Sequence, residues 1–355
     1  MSRYGKTASP PTIHAIIKNA QPIAMERHIG GIVITKNEED SMIIDSHYHY
    51  MTGMSEKAAA EMVGMIAHEA KTMGMNPDYD ALLKTAGENW GDPLADRLID
   101  RMDEGGIDIT VAVNVDNIQI KPLTPEIMQK QNRMLGEAVR RHPGRIIGLA
   151  GIDPRRPEAA EMACVCLEEY GLRGIKYHPD HGFDPAGPES CKVLEVLARH
   201  QGILLSHTGP LMPRGRSKFA DPLMLCDIAV DFPEIKVIAA HMGGYINWRP
   251  WASLAAYQSN MHGDLAVWDT LAYKNYGLFC RQLREAVDLA GPTKILFGSD
   301  APIQTLLYPI KTMIGFIRDL PQKAPAGIHF TGKEVDLMLG GNARALFGLA
   351  DASPQ

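Results

Sequence analysis

The sequence lacks the cysteine arrangements that are typical of disulfide frameworks and structural metal sites. It has five cysteines, an odd number, and no Cys-x-x-Cys pair. The closest two, Cys164 and Cys166, lie two positions apart on a predicted helix and therefore point to nearly opposite faces. They cannot bind one ion together. We expect all five thiols to be reduced.

Long apolar runs and a surplus of positive charge are also lacking. No segment has the roughly 18 unbroken apolar residues of a membrane-spanning helix, and the polar first residues contain no hydrophobic signal core. Lysine and arginine number 36 against 42 acidic residues, a formal net charge of -6. The basic surface that nucleic acids and anionic membranes require is therefore absent. We predict a cytoplasmic protein with a small-molecule substrate.

Strands and helices alternate along the 355 residues, of which 45% are hydrophobic and 22% charged. Eight short apolar runs have the pattern of buried strands: Met42 to Asp45, Ile109 to Val115, Ile146 to Ile152, Gly174 to His178, Ile203 to His207, Lys236 to His241, Asp264 to Asp269 and Ile295 to Ser299. Amphipathic segments between them include Glu126 to Arg141, Glu158 to Tyr170, Cys191 to His200, Leu223 to Phe232 and Arg281 to Leu289. The pattern predicts an α/β fold, a (β/α)8 TIM barrel. A doubly wound open sheet fits this pattern less well, because no Gly-x-Gly-x-x-Gly fingerprint follows an early strand.

Two segments lie outside this alternation. We predict that residues 1–41 are an N-terminal extension, an arm or small hairpin that packs on the barrel or on a partner subunit, and that the barrel spans residues 42–350. Residues 51–95 form an insertion after the first strand, which we expect to cap the site. Its helical part carries four methionines: Met62, Met65, Met73 and Met75. They suit an adaptable apolar wall, and plain helix packing is the alternative.

The most specific motif is a His-x-His pair at the end of the first predicted strand. Residues two apart in an extended chain point the same way, so His47 and His49 can both face the mouth of the barrel while Tyr48 turns outward. A lone histidine at a strand end is more often a core residue than a ligand. The pair at this place instead favours a shared metal ion.

Three later strands also end in residues that bind metals or carry protons. Apolar runs place His207, His241 and Asp300 at the ends of the fifth, sixth and eighth strands. Active sites of such barrels lie at the carboxyl ends of the strands. The sequence therefore predicts that imidazoles and a carboxylate far apart in the chain meet around one cation.

With these motifs the chain resembles the amidohydrolase superfamily, in the branch that contains aminocarboxymuconate-semialdehyde decarboxylase and related hydrolases. The resemblance runs from about Met42 to Phe347 and includes the closing segment Gly-Gly-Asn-Ala-Arg-Ala-Leu-Phe. It implies that the metal ligands are His47, His49, His207 and Asp300. It also implies that His241 is the catalytic histidine, with Asp300 sharing the proton. The implied ion is Zn²⁺, with Mn²⁺ as the alternative.

Further residues have more than one interpretation. Lys176 and His178 share a face at the fourth strand, in a run similar to one found in hydrolase-like members of the branch. In other branches this lysine is carbamylated and bridges two metals; the alternatives are a substrate-binding amine for Lys176 and a packing role for His178. Arg214, in the basic loop after His207, can bind an anionic substrate or belong to a solvated face. Trp248, in the long loop after the sixth strand, is a further candidate for substrate binding.

The resemblance implies two reactions on the same metal site. One is hydrolysis of a lactone, amide or C–C bond by metal-activated water, acting on a small anionic, aromatic or unsaturated substrate. The other is non-oxidative decarboxylation of an aromatic or muconate-type acid. We expect hydrolysis, because the run around Lys176 resembles the hydrolase-like members. A non-catalytic metal-binding barrel is a third alternative. By the same resemblance we expect a homodimer or homotetramer.

Overall fold

The structure, a computed structural model, describes the following residues: 25–29, 32–36, 41–116, 118, 123–209 and 215–349. Contacts divide the chain into two units, of which the larger is Met42–Ala350. The smaller unit contains an antiparallel strand pair, β1 (Met25–Ile29) and β2 (Ile32–Lys36). The packing of this segment on the barrel or on a partner stays a prediction.

Eight parallel strands form the sheet of the larger unit: β3 (Ile44–His49), β4 (Ile109–Val113), β5 (Ile146–Gly151), β6 (Gly174–Tyr177), β7 (Ile203–His207), β8 (Lys236–Ala240), β9 (Met261–Asp264) and β10 (Ile295–Leu296). Each strand pairs with the next one in the chain. The sheet closes where the segment after β10 meets β3: the Ser46 amide donates to Phe297 O at 2.8 Å, and the Asp300 amide donates to His47 O at 2.9 Å. The predicted (β/α)8 barrel is confirmed.

Helices flank this barrel. In chain order they are α1 (Glu56–Thr72), α2 (Tyr79–Asn89), α3 (Asp96–Gly105), α4 (Pro125–Arg141), α5 (Ala159–Glu168), α6 (Pro188–Arg199), α7 (Cys226–Asp231), α8 (Trp248–Tyr257), α9 (Trp268–Lys274), α10 (Tyr276–Ala290), α11 (Ile310–Arg318), α12 (Leu320–Lys323), α13 (Gly332–Asp336) and α14 (Asn342–Phe347). Within the described part of the chain, no helix has both the length and the apolar character to cross a membrane.

A register shift in β3 decides which of its side chains face the barrel interior. Ile44 packs in the interior cluster, to which the other strands contribute Val111, Leu149 and Leu205 among others. Regular alternation from Ile44 would turn Ser46 and then Tyr48 inward, but the pairing with β4 shifts between Asp45 and Tyr48. Tyr48 consequently packs in the outer core. His47 and His49 therefore face the opposite way to Tyr48, toward the interior.

The seventh strand differs from its prediction. We expected Asp264 to Asp269, whereas β9 is Met261–Asp264 and α9 begins at Trp268. The strand carries a weak apolar signal because it contains Gly263, where a Cβ would lie 2.4 Å from the Met242 side chain. The apolar run that follows is a buried loop, and Val267 ends it with a φ of 64°. Asp264 thus lies at the end of a strand, where barrel active sites are built.

The insertion after β3 contacts the loop that follows β10 and helix α9. Trp90 Nε1 donates to Pro302 O at 3.5 Å, and Thr270 Oγ1 donates to Glu69 Oε1 at 2.9 Å. Met62 and Met65 pack against a cluster that includes Ile303. Met73 is part of the main core, and Met75 packs against it. These two methionines therefore fit the packing alternative.

Candidate metal centre

Three predicted ligands converge where β3 meets the segment after β10. His49 Nε2 lies 3.0 Å from Asp300 Oδ1, and His47 Nε2 lies 3.4 Å from the same oxygen. One ligand atom from each of the three residues lies within 4.8 Å of the other two. Two imidazoles and a carboxylate are donors that Zn²⁺ and Mn²⁺ accept. These side chains can therefore hold a divalent cation.

Asp264 fixes the orientation of two of the histidines. Its Oδ2 accepts from His47 Nδ1 at 3.1 Å, and its Oδ1 accepts from the backbone amide of His241 at 2.7 Å. Because an ionised carboxylate only accepts, the proton of His47 lies on Nδ1. The lone pair of His47 is therefore on Nε2, which faces Asp300. This carboxylate–histidine arrangement commonly accompanies metal ligands.

Lys176 places an amine in the middle of the centre. It lies in β6, is 1% exposed, and its Nζ lies 3.0 Å from His47 Nε2. Burial lowers the pKa of Lys176 to about 8, while the charges of Asp300 and Asp264 oppose that fall. Without a bound cation the amine is thus mainly protonated at neutral pH and donates to His47 Nε2. A cation bound at that nitrogen would replace this contact and would lower the pKa of Lys176 further.

Asp300 supplies the negative charge of the centre. Burial alone would raise its pKa, but the hydrogen bond from His49 and the electrostatic attraction of the neighbouring imidazoles hold the pKa of Asp300 well below its ordinary value. The carboxylate is consequently ionised at neutral pH. Its backbone has a φ of 54°, and that of His241 is 67°, in the left-handed region that such residues rarely adopt. Strain of this kind often marks functional sites.

His207 and His178 belong to a neighbouring group rather than to the first one. One ligand atom each of His178, Asp180 and His207 lies within 4.8 Å of the other two. The rings of His178 and His207 stack with centroids 4.6 Å apart. His207 Nδ1 lies 3.2 Å from His241 Nε2, which joins the two groups. The structure thus places His207 near the centre but with different partners, and its role as a fourth ligand stays a prediction.

Comparison with known proteins agrees with this architecture. A family model described as Amidohydrolase matches residues 44–349. The chain belongs to the amidohydrolase family. No curated protein matches.

Solved structures resemble this amidohydrolase in fold at low sequence identity. A 5-carboxyvanillate decarboxylase from Sphingomonas paucimobilis has a TM-score of 0.61 at 15% identity, over 88% of this chain and 100% of the other. A dihydroxybenzoic acid decarboxylase from Polaromonas sp. JS666, with bound manganese and an inhibitor, has a TM-score of 0.60 at 17% identity, over 88% and 98%. A putative amidohydrolase from Staphylococcus aureus has a TM-score of 0.54 at 15% identity, over 87% and 100%.

The remaining predicted residues of this amidohydrolase lie in three different settings. His241 follows β8 directly, and its Nδ1 lies 3.2 Å from Ala266 O. Burial lowers the pKa of His241 from 6.5 to about 4. Trp248 begins α8 and is fully buried. Arg214 lies outside the described residues.

Three carboxylates at this end of the barrel were not predicted as site residues from the sequence. Asp264 was included in the seventh strand, but that strand was placed three residues too late. Asp45 joins the first strand to the last, since its Oδ2 accepts from Ser299 Oγ at 2.6 Å. Asp180 follows His178 by two positions, a spacing that could have been recognised in the Tyr-His-Pro-Asp-His run.

Proposed function

We propose that this amidohydrolase is a metal-dependent decarboxylase of a small aromatic or unsaturated carboxylic acid. The convergence of His47, His49 and Asp300 beside the amine of Lys176 carries the proposal. A cation and an ammonium group side by side suit a substrate carboxylate and a neighbouring hydroxyl. The two decarboxylases among the similar folds support this reaction by analogy, although a fold does not fix a function.

A bound Mn²⁺ or Zn²⁺ would supply Lewis-acid charge to hold the substrate's oxygen atoms. Manganese in the Polaromonas enzyme supports Mn²⁺, and the sequence resemblance supports Zn²⁺. The protein's own residues orient this centre: Asp264 fixes the His47 ring, and the ionised Asp300 joins the two first-strand histidines.

Lys176 and His241 have distinct roles in this proposal. Lys176 Nζ is a hydrogen-bond donor for the substrate carboxylate. His241 is neutral because burial lowers its pKa. Its Nδ1 donates to Ala266 O, so Nε2 is the atom that takes up a proton from the substrate. In the reaction His241 Nε2 would take the proton of the substrate hydroxyl, with the ionised Asp300 accepting a hydrogen bond from it, and this proton would add to the carbon that carries the carboxylate. The C–C bond then breaks, CO₂ leaves, and a proton from water restores the hydroxyl.

Hydrolysis is the second candidate, and the observation that favours it is Lys176. A buried lysine in the fourth barrel strand belongs to the run that resembles hydrolase-like members of the superfamily. In this case a cation held by His47, His49 and Asp300 would activate water for attack on a lactone, an amide or a C–C bond. The same three ligands serve both reactions, so the substrate pocket decides between them.

Metal analysis and a substrate panel test the proposal. Protein stripped with a chelator and reloaded with Mn²⁺ or Zn²⁺ is incubated with hydroxybenzoate-type acids, and separately with lactones and amides. We expect CO₂ release from an acid that depends on the metal and is lost in His49→Gln. Acid production from lactones or amides without CO₂ release selects hydrolysis. Turnover that persists without metal, or a reloaded enzyme that is inert on both classes, contradicts the proposal.

A further inference from the structure

Four consecutive residues after β8 have left-handed backbone conformations. The φ angles of His241, Met242, Gly243 and Gly244 are 67°, 53°, 83° and 71°. Glycine adopts this region freely, whereas the Cβ atoms of His241 and Met242 make it unfavourable. Both of these residues are buried, with 3% and 0% exposure. Contacts from other segments must therefore stabilise this turn.

The end of β9 and the segment after it bind three polar groups of His241. Asp264 Oδ1 accepts from the backbone amide of His241 at 2.7 Å, and Ala266 O accepts from the ring Nδ1 at 3.2 Å. The indole Nε1 of Trp268 donates to the carbonyl oxygen of His241 at 2.9 Å. The fourth polar atom, Nε2, lies 3.2 Å from His207 Nδ1. This segment therefore fixes both the backbone and the ring of His241.

The opposite side of the turn contacts the end of β7. Thr208 Oγ1 donates to Ala240 O at 2.6 Å and accepts from the Gly243 amide at 2.8 Å. The backbone of Gly209 passes so close that a Cβ there would lie 2.3 Å from Gly243 O. The turn is thus packed between the segments that follow β7 and β9.

The indole of Trp268 determines the orientation of the peptide group between His241 and Met242. The carbonyl oxygen of this group also accepts from the Gly244 amide, within the turn, at 2.7 Å. Rotation of the peptide group toward the right-handed region would move the oxygen away from the indole, and a buried carbonyl that loses a donor is costly. Trp268 is fully buried at the start of α9, so its N–H is a rigid donor.

We propose that Trp268 is a positioning residue for His241: its indole N–H stabilises the left-handed turn, and the turn directs Nε2 toward the metal centre. The ring of His241 lies beside that of His47, with centroids 5.2 Å apart. The inference rests on the proposed function, because it concerns the histidine that takes up the substrate proton. Displacement of such a group by about 1 Å can lower the rate about 100-fold.

The chain offers a matched control for Trp268→Phe, which removes the indole N–H. Trp251, in α8, is also fully buried, and its Nε1 donates to the backbone carbonyl of His262 at 3.0 Å. Trp251→Phe therefore loses the same kind of hydrogen bond and the same side-chain volume elsewhere in the core. We expect both variants to be less stable than the wild type, whereas only Trp268→Phe should alter the turn.

Amide hydrogen exchange of the whole chain measures the turn without reference to activity. We expect the Gly244 amide to exchange at least about fivefold faster in Trp268→Phe than in the wild type, and at the wild-type rate in Trp251→Phe. On the substrate that the wild type turns over, kcat should fall about 10–100-fold in Trp268→Phe, with KM and metal content unchanged. Trp251→Phe should keep the wild-type kcat.

Each outcome separates positioning from packing and from the reaction itself. Unchanged exchange in Trp268→Phe overturns the proposal, and so does faster exchange with an unchanged kcat. Equal losses of kcat in the two variants assign the effect to packing and also overturn it. A wild type that is inert on every substrate contradicts the proposed function, while the exchange rates still decide whether Trp268 stabilises the turn. If Trp268→Phe does not fold by circular dichroism, 3-benzothienylalanine at position 268, which keeps the indole shape without the N–H, replaces it with the same expected results.

Discussion

The carboxylate of Asp264 should control metal affinity through the tautomer of His47. In Asp264→Asn the amide oxygen can still accept from the backbone amides of His241 and Ala266, which in the wild type lie 2.7 and 3.1 Å from Oδ1. The amide nitrogen replaces Oδ2 and can only donate. His47 Nδ1 must then lose its proton and accept.

The proton of His47 consequently moves to Nε2, the atom that lies 3.4 Å from Asp300 Oδ1 and that we assign to the ion. We expect metal affinity to fall about 10–100-fold, or about 1.4–2.8 kcal/mol, as is usual when an outer partner of a ligating histidine is lost. The metal-free protein loses one hydrogen bond to a charged group, and we expect its free energy of unfolding to fall by about 1–3 kcal/mol.

Competition with a chromogenic chelator gives the dissociation constant, and urea unfolding in excess chelator gives the stability of the metal-free protein. The matched control is Asp153→Asn, another fully buried carboxylate, whose Oδ2 lies 2.5 Å from Arg155 Nη2. It should lower stability and leave metal affinity unchanged. An Asp264→Asn variant that binds metal as tightly as the wild type would refute the tautomer argument.

Three further predictions concern catalysis, pH and packing. His241→Ala should keep its metal content and its fold but lose about 10²–10⁴-fold in turnover, whereas unchanged turnover would favour a non-catalytic barrel. Burial raises the pKa of Asp269 from 3.8 to about 7, so the folded protein holds a proton that the unfolded chain releases, and stability falls as pH rises through this window. Asp269→Asn should flatten that fall in urea titrations at successive pH values; an identical slope would contradict the assignment. Gly340→Ala places a Cβ 1.8 Å from the Met42 carbonyl oxygen, so we expect a loss of about 3 kcal/mol in unfolding free energy. Its control, Gly341→Ala, meets a flexible leucine side chain at 3.2 Å and should cost much less in the same unfolding assay.

The sequence was sufficient to predict the barrel and the meeting of three side chains on one rim, because both depend on local pattern. Apolar runs followed by amphipathic segments predict parallel strands, and the carboxyl ends of such strands meet on one rim. The His-x-His spacing then places His47 and His49 on one face. Asp300 follows the last apolar run, and the structure brings it to these two residues.

Other features depend on contacts between distant segments and carry little local signal. The register shift in β3 that turns His47 and His49 inward cannot be read from the spacing of apolar residues. Asp264 ends β9, a strand of only four residues. Because this strand contains Gly263, its apolar pattern is weak. The division of the histidines between two groups depends on which side chains stack and on where protons lie, and both follow from tertiary packing.

The way in which the barrel closes predicts how the protein would behave without a bound cation. The last strand, β10, has only two residues, and the contact with β3 continues through an irregular segment that ends at Asp300. His47 and His49 lie on the β3 side of this junction, and Asp300 lies on the other side. A cation bound by all three residues would cross-link the two sides. Metal depletion should therefore open the molecule there first, exposing the Phe297–Ala301 stretch to proteases long before global unfolding.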